Sequence, residues 1–157
     1  MLGIGIEQIV EGLEKLKPVK GRMQPVAGLH GSLVFDDTYN ANPSSFEAAI
    51  DLVTQMPGEA WVILGAFAEL GDSSAELHAE VGYFAKQNGV KHLLATGRDA
   101  SKAVESFGEG GVYFEKQEDL IQSAKRMLDS QVVVLVKGSR TQKMERVVDE
   151  LRDKGLN

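Results

Sequence analysis

The sequence predicts an α/β protein with a mostly parallel sheet that is covered by helices on both faces. Short apolar runs typical of buried strands alternate with segments whose apolar residues recur at helical spacing. The run at 132–136, Val-Val-Val-Leu-Val, is apolar throughout, as expected for a strand covered on both faces. The length of 157 residues fits one domain around one core. Together these observations predict a Rossmann-like, doubly wound fold with right-handed crossovers.

The predicted strands and helices alternate along most of the chain. Strands are predicted at 33–36, 61–64, 92–95, 112–114 and 132–136, and helices at 43–55, 73–87, 99–106, 118–128 and 141–154. Pro43 suits the first turn of its helix because its missing N–H would be unpaired there, and Asn42 is a natural N-cap. Ser73 with Glu76 three residues later predicts a capping box at the next helix. An additional edge strand is predicted around residues 23–26.

A short helix and a linker are predicted ahead of the sheet. Residues 6–16 carry apolar side chains at intervals of three and four, which form one helical face, and Pro18 ends the pattern. Residues 17–25 are basic and rich in turn-forming residues, which is typical of a linker. We therefore expect a helix and interdomain linker at 1–24, followed by a domain at 25–157.

Composition argues against several classes of function. The net charge is −6, so a nucleic-acid surface is not expected. The chain has no cysteine, which excludes disulfides, thiolate catalysis and cysteine-ligated metals and fits a reducing cytoplasm. No apolar run is long enough to span a bilayer, and residues 1–6 lack the basic start of a signal peptide. We therefore expect a cytoplasmic domain without membrane insertion. No metal site is expected, because His30 and His92 are isolated.

Three loops that follow predicted strands carry polar side chains suited to ligand binding. In a parallel sheet such loops meet at the carboxyl edge, beside helix N-termini. The first loop, 36–42, combines two carboxylates, an aromatic ring and two amides. The second loop, 65–72, contains two glycines and the carboxylates of Glu69 and Asp72. The third loop, 137–140, has two cations and a hydroxyl at a predicted helix start, which favours anion binding although the spacing of a P-loop is absent.

The loop sequences resemble those of a known enzyme family. The string Asp-Asp-Thr-Tyr-Asn-Ala-Asn-Pro at 36–43 resembles the motif that opens the third domain of Mur ligases, the ATP-dependent amide-forming enzymes of peptidoglycan synthesis. Val-Lys-Gly-Ser-Arg at 136–140 is similar to a segment of the branch that adds D-alanyl-D-alanine to UDP-N-acetylmuramoyl-tripeptide. Gly-Arg-Met at 21–23 and Glu-Leu-Gly at 69–71 also match the family. Ala-Phe at 66–67 stands where the family usually has Asp-Met, so no carboxylate role is expected there.

The resemblance implies a ligand for each loop. The nucleotide-binding residues that it implies are Arg22, Asp37, Tyr39, Asn40 and Asn42. The substrate-binding residues that it implies are Glu69, Lys137, Ser139 and Arg140. UDP-N-acetylmuramoyl-tripeptide and D-alanyl-D-alanine are the expected substrates.

The resemblance also implies that this chain is one part of a larger enzyme. It carries no Walker lysine and no evident set of magnesium ligands, so ATP and Mg²⁺ would be bound mainly by a central domain that the chain lacks. No catalytic residue is therefore expected here. The expected partners are the N-terminal and central domains of the same polypeptide, on which this domain would close as a lid.

Two other functions remain open from the residues alone. One is a free-standing nucleotide- or anion-binding module of the same fold, although no Gly-x-Gly-x-x-Gly follows the first strand. The other is a receiver-like signalling domain, which would need an acceptor Asp at the end of a later strand. The strands predicted to end at Leu64, Ala95 and Phe114 offer none. His78, just inside its predicted helix, is interpreted either as a half-buried helix residue or as a functional one.

Overall fold

The structure, a computed structural model, describes residues 19–155, so the helix predicted at residues 6–16 lies outside the described part of the chain. One sheet contains six strands in the order β1-β2-β6-β3-β4-β5. The strands are β1 (Gln24–Ala27), β2 (Leu33–Asp37), β3 (Glu59–Gly65), β4 (His92–Thr96), β5 (Gly111–Phe114) and β6 (Val132–Lys137). Strands β2 to β6 are parallel, whereas β1 pairs antiparallel with β2 at the edge. The mostly parallel sheet and its additional edge strand are confirmed.

Helices cover both faces of the sheet. They are α1 (Pro43–Val53), α2 (Ser74–Gln87), α3 (Ala100–Phe107), α4 (Gln117–Met127) and α5 (Glu145–Leu151). One apolar cluster joins α1, α2 and α3 to the sheet, and a second joins α4 and α5 to the opposite face. In β6, Val133 and Leu135 belong to the first cluster and Val132 and Val134 to the second. Alternate strand residues point to opposite faces, which explains why this strand is apolar throughout and confirms the doubly wound class.

The chain leaves β6 toward the opposite face from both neighbouring strands. The loops after β2 and β3 lead to α1 and α2, while the loop after β6 leads to α5 on the other face. Such a reversal opens a crevice at the carboxyl edge, which is where ligands bind in doubly wound sheets. The topology therefore places the first, second and third loops around one point.

One of the two predicted helix caps is present. Asn42 Oδ1 accepts the backbone N–H of Ser45 at 2.8 Å, and Ser45 Oγ lies 3.3 Å from Asn42 N, which completes a capping box. The capping box predicted at Ser73 is wrong, because this residue ends a 3₁₀ turn, Gly71–Ser73, and makes no side-chain cap bond. Its ψ of 3° is not the extended conformation from which a cap hydroxyl reaches the free N–H groups.

The last predicted helix, 141–154, is shorter in the structure. A 3₁₀ turn at Arg140–Gln142 is followed by Lys143 in the left-handed region, with φ 50°, which separates the turn from α5. After Leu151 the chain returns to the sheet edge, where the N–H of Asp153 donates to the last carbonyl of β1 at 2.9 Å. Backbone pairing with this edge strand replaces the last turns of the predicted helix.

Candidate functional site

The three loops meet at the carboxyl edge, as the sequence predicted. They border an open cavity of about 630 Å³, here called the three-loop cavity. Its lining comes from all three loops and one residue beyond: Tyr39, Asn40, Ala41, Asn42, Ala68, Glu69, Leu70, Ser139, Arg140 and Thr141. A second cavity of about 490 Å³, called the linker cavity, lies where residues 21–23 cross the first loop. Tyr39, Asn40 and Asn42 border both cavities, so the first loop separates them.

Asp36 shapes the first loop from within. Its carboxylate is buried and accepts both the N–H and the hydroxyl of Thr38, at 3.2 Å and 2.6 Å. The side chain of Asn40 likewise accepts the N–H of Ala41 at 2.9 Å. These local bonds satisfy backbone groups that have no strand partner after β2 ends. Asp36 therefore stabilises the loop and borders neither cavity.

Asp37 joins three separate parts of the fold. Its Oδ2 accepts the ammonium of Lys137 at 2.5 Å, and its Oδ1 accepts the N–H of Met23 at 3.1 Å. Lys137 is the register partner of Asp37 in the pairing of β2 with β6, and its ammonium also donates to the carbonyl of Asn40 at 3.0 Å. The sequence grouped Lys137 with the substrate residues of the third loop. The structure instead directs its ammonium to the first loop, and it borders the linker cavity.

Arg22 and Tyr39 are two exposed residues that border the linker cavity. The guanidinium of Arg22 lies over the Tyr39 ring, 4.6 Å from its centroid, which is a cation–π arrangement. The N–H of Tyr39 donates to the carbonyl of Gly21 at 2.9 Å, so the backbones of linker and loop are joined as well. The Tyr39 side chain is half exposed. An aromatic face and a cation are thus available together to a planar or anionic ligand.

His78 anchors the second loop and does not reach either cavity. It is fully buried, and its Nε2 accepts the N–H of Phe67 at 3.0 Å. Its Nδ1 lies 2.7 Å from the carbonyl of Ser74, which assigns the proton to Nδ1. The Phe67 ring stacks on the imidazole, with centroids 5.1 Å apart, and packs edge-on against Phe46. The sequence left a structural and a functional interpretation of His78 open. Its contacts favour the structural one, and the imidazole is fully buried rather than half-buried.

Because His78 holds Phe67 in place, only part of the second loop lies at the cavity. Ala66 and Phe67 are buried in the core, so the positions that depart from the family string do not face the cavity. Glu69 follows with φ 62°, a left-handed conformation that is uncommon outside glycine, and lines the three-loop cavity. The loop thus places residues 68–70 at the cavity while Ala66 and Phe67 remain in the core.

The third loop is tied to the second by a serine. Ser139 is buried, its Oγ donates to the carbonyl of Ala66 at 2.8 Å, and it lies 3.0 Å from the hydroxyl of Thr141. The next residue, Arg140, has a largely exposed guanidinium that lies 3.3 Å from Glu145. Thr141 also borders the cavity, but the sequence assigned it to the last helix and therefore missed it.

The predicted residues divide between the two cavities. All five predicted nucleotide residues, Arg22, Asp37, Tyr39, Asn40 and Asn42, border the linker cavity. Of the predicted substrate residues, Glu69, Ser139 and Arg140 border the three-loop cavity. Within residues 19–155, no three potential metal-ligating side chains are grouped. No helix in that range has the length and apolarity needed to cross a membrane.

The fold and the two cavities define a class of protein. It is a doubly wound α/β domain with a cation, an aromatic ring, amides and a carboxylate on the loops at the carboxyl edge, the position of ligand sites in this class. The family model described as "Mur ligase, glutamate ligase domain" matches residues 21–140. The chain belongs to this family.

Known relatives cover nearly the whole chain. The UDP-N-acetylmuramoyl-tripeptide--D-alanyl-D-alanine ligase of Escherichia coli (strain K12) is 36% identical over 156 residues, which are 98% of this chain and 34% of that protein. A crystal structure of MurF from Acinetobacter baumannii superposes with a TM-score of 0.80 and 32% identity, over 96% of this chain and 34% of that one. The structure of MurF ligase from Thermotoga maritima in complex with ADP superposes with a TM-score of 0.77 and 28% identity, over 90% of this chain and 32% of that one. The chain spans about a third of the length of these relatives.

Proposed function

We propose that this chain is the C-terminal domain of a ligase that joins D-alanyl-D-alanine to UDP-N-acetylmuramoyl-tripeptide in the cytoplasm. One observation carries the proposal. The three loops whose sequences are similar to the family, the third of them to this branch, converge at one edge of the sheet and border two adjoining cavities. In the parent reaction, ATP would convert the tripeptide carboxylate to an acyl phosphate. The dipeptide amine would then attack, with release of ADP and phosphate.

The linker cavity is the proposed nucleotide side. Tyr39 offers an aromatic face to a planar base, and Arg22 offers a charge-assisted contact to phosphate. Asn40 and Asn42 border the same cavity with groups that can donate and accept hydrogen bonds. Asp37 would accept from ribose with the lone pairs that Lys137 and Met23 leave free. ATP would be shared with a central domain, which would also supply the magnesium ligands and the lysine of a P-loop.

The three-loop cavity is the proposed substrate side. Glu69 and Arg140 present opposite charges at its border, while the Ser139 hydroxyl is engaged between the second and third loops. A dipeptide carries an ammonium and a carboxylate, so this pair of charges is suited to orient it. Lys137 is not included in this set because its ammonium is directed to the first loop.

The proposed domain boundary lies at the start of the sheet. Strand β1 begins at Gln24, next to the expected boundary between residues 24 and 25, which supports a linker that ends where the sheet begins. The described part of the linker, residues 19–23, lies against the first loop. In the parent enzyme this segment would lead from the central domain directly to the nucleotide side, and the domain would act as a lid.

The proposal is tested by kinetics on the parent ligase with ATP, magnesium, the UDP-linked tripeptide and D-alanyl-D-alanine. Loss of a charge-assisted contact in Arg22→Ala should raise the KM for ATP roughly tenfold to a hundredfold and change that for the dipeptide less. Arg140→Ala should raise the KM for the dipeptide more than the KM for ATP. Arg98→Ala is the matched control, since Arg98 is an exposed arginine that borders neither cavity. No phosphate release with the wild-type enzyme and this dipeptide would contradict the proposal.

A further inference from the structure

Lys137 is a buried cation that the proposed reaction does not use. Its side chain is 2% exposed, and lysine is almost never fully buried unless it is paired. The ammonium donates to Asp37 Oδ2 at 2.5 Å and to the carbonyl of Asn40 at 3.0 Å. Two of its three N–H donors are therefore fixed on the first loop.

The Asp37 carboxylate, which pairs with Lys137, also binds the linker. Asp37 Oδ1 accepts the N–H of Met23 at 3.1 Å. Met23 has φ 44°, a left-handed conformation that costs free energy for a residue with a side chain. Gly21 has φ 74°, and a Cβ there would lie 3.1 Å from the backbone nitrogen of Tyr39. The chain thus turns sharply at two nearby positions, both in contact with the first loop.

We propose that Lys137 is a positioning residue that fastens the linker to the first loop through Asp37. The contacts run from the ammonium to the carboxylate and from the carboxylate to the amide of Met23. Without the buried counter-charge, the carboxylate would turn toward water and Met23 would lose its acceptor. The effect on the linker depends on this chain alone, whereas the effect on nucleotide binding rests on the proposed function.

The first test is amide hydrogen exchange on the 157-residue chain. In Lys137→Met, which keeps an unbranched side chain but removes the charge, the Met23 amide should exchange about tenfold faster or more. Lys102→Met is the matched control, because Lys102 makes only an exposed pair with Glu105 on α3. The amide of Val62 in β3 reports whether the whole fold loosens, since this residue is fully buried in the central sheet.

A double variant covers the case in which Lys137→Met does not fold. Asp37→Asn combined with Lys137→Met removes both charges and leaves an amide oxygen at position 37. It should keep the protection of the Val62 amide but still lose protection at Met23, because nothing orients the side chain at position 37. Wild-type protection at Met23 in either folded variant would overturn the proposal.

Kinetics on the parent ligase separate the positioning role from a substrate contact. Loosening of the linker in Lys137→Met should raise the KM for ATP and leave the KM for the dipeptide nearly unchanged. If only the KM for the dipeptide rises and the Met23 amide keeps its protection from exchange, Lys137 is a substrate ligand and the proposal is overturned. The wild-type assay tests the proposed function separately, and the exchange experiment requires no activity, so the two failures are distinguishable.

Discussion

Asp36 and Asp37 are adjacent in the sequence but have different partners. Neighbouring residues of a strand point to opposite faces, so the two carboxylates leave β2 in different directions. Asp36 is buried against Thr38 and stabilises the loop, while Asp37 lies opposite Lys137 across the β2–β6 pairing. A substitution at Asp36 should therefore alter the shape of the first loop, and one at Asp37 should also affect β6 and the linker.

Asp37→Ala should destabilise the fold strongly. The substitution would leave the Lys137 ammonium buried without its partner, which costs roughly 3–5 kcal/mol in proteins. Urea unfolding at neutral pH measures the loss. Glu105→Ala is the control, since it removes a carboxylate from an exposed lysine and should change the free energy of unfolding little. Equal effects of the two substitutions would mean that the buried pair contributes no more than a surface pair.

His78→Leu should destabilise the chain through the second loop. Leucine fills similar space but cannot accept the N–H of Phe67, and a buried unpaired group of this kind costs about 1–3 kcal/mol. His30→Asn is the control, because His30 is exposed at φ 57° and Asn tolerates that conformation. Chemical unfolding monitors both variants, and unchanged stability of His78→Leu would show that the Phe67 amide finds another acceptor.

At the scale of elements, the starts of α1 and α2 are predicted to respond differently to loss of a side chain. Asn42→Ala should cost about 0.5–2 kcal/mol because Asn42 caps α1 and accepts the N–H of Ser45. Ser73→Ala should have little effect, since Ser73 makes no cap bond at α2. Thermal and urea unfolding of both variants checks the contrast. A comparable loss in Ser73→Ala would indicate a cap in solution and contradict the geometry described above.

At the scale of the whole molecule, the isolated chain should not hydrolyse ATP. Phosphoryl transfer needs metal ions and a lysine at the phosphates, and in the proposed enzyme both would be supplied by the central domain. Phosphate release from ATP with magnesium, the UDP-linked tripeptide and D-alanyl-D-alanine is the measurement. If the proposed function is right, the first two domains of the parent enzyme, added as a separate polypeptide at high concentration, should restore slight activity, because the covalent linker would otherwise supply a high effective concentration. Turnover by the chain alone at ordinary enzyme rates would contradict the proposed lid role.

Much of the fold could be predicted because it depends on local patterns. Strand β6 is apolar throughout and α1 begins with an Asn-Pro pair, and the predicted bounds of both agree with the structure to within about two residues. The errors lie where longer-range contacts override local preference. The last helix stops early because Asp153 pairs with the end of β1, and Ser73 does not cap because a 3₁₀ turn precedes α2.

The sequence by itself determined the α/β class, the positions of the three loops and the resemblance to Mur ligases, since each is a property of neighbouring residues. Only the tertiary structure decided which charged groups meet. Asp37 and Lys137 are 100 residues apart and become partners because β2 pairs with β6. The Ser139 hydroxyl and the Ala66 carbonyl are 73 residues apart, and they meet because β6 also pairs with β3. Local periodicity specifies strands but not their order, and the order of strands in the sheet determines these contacts.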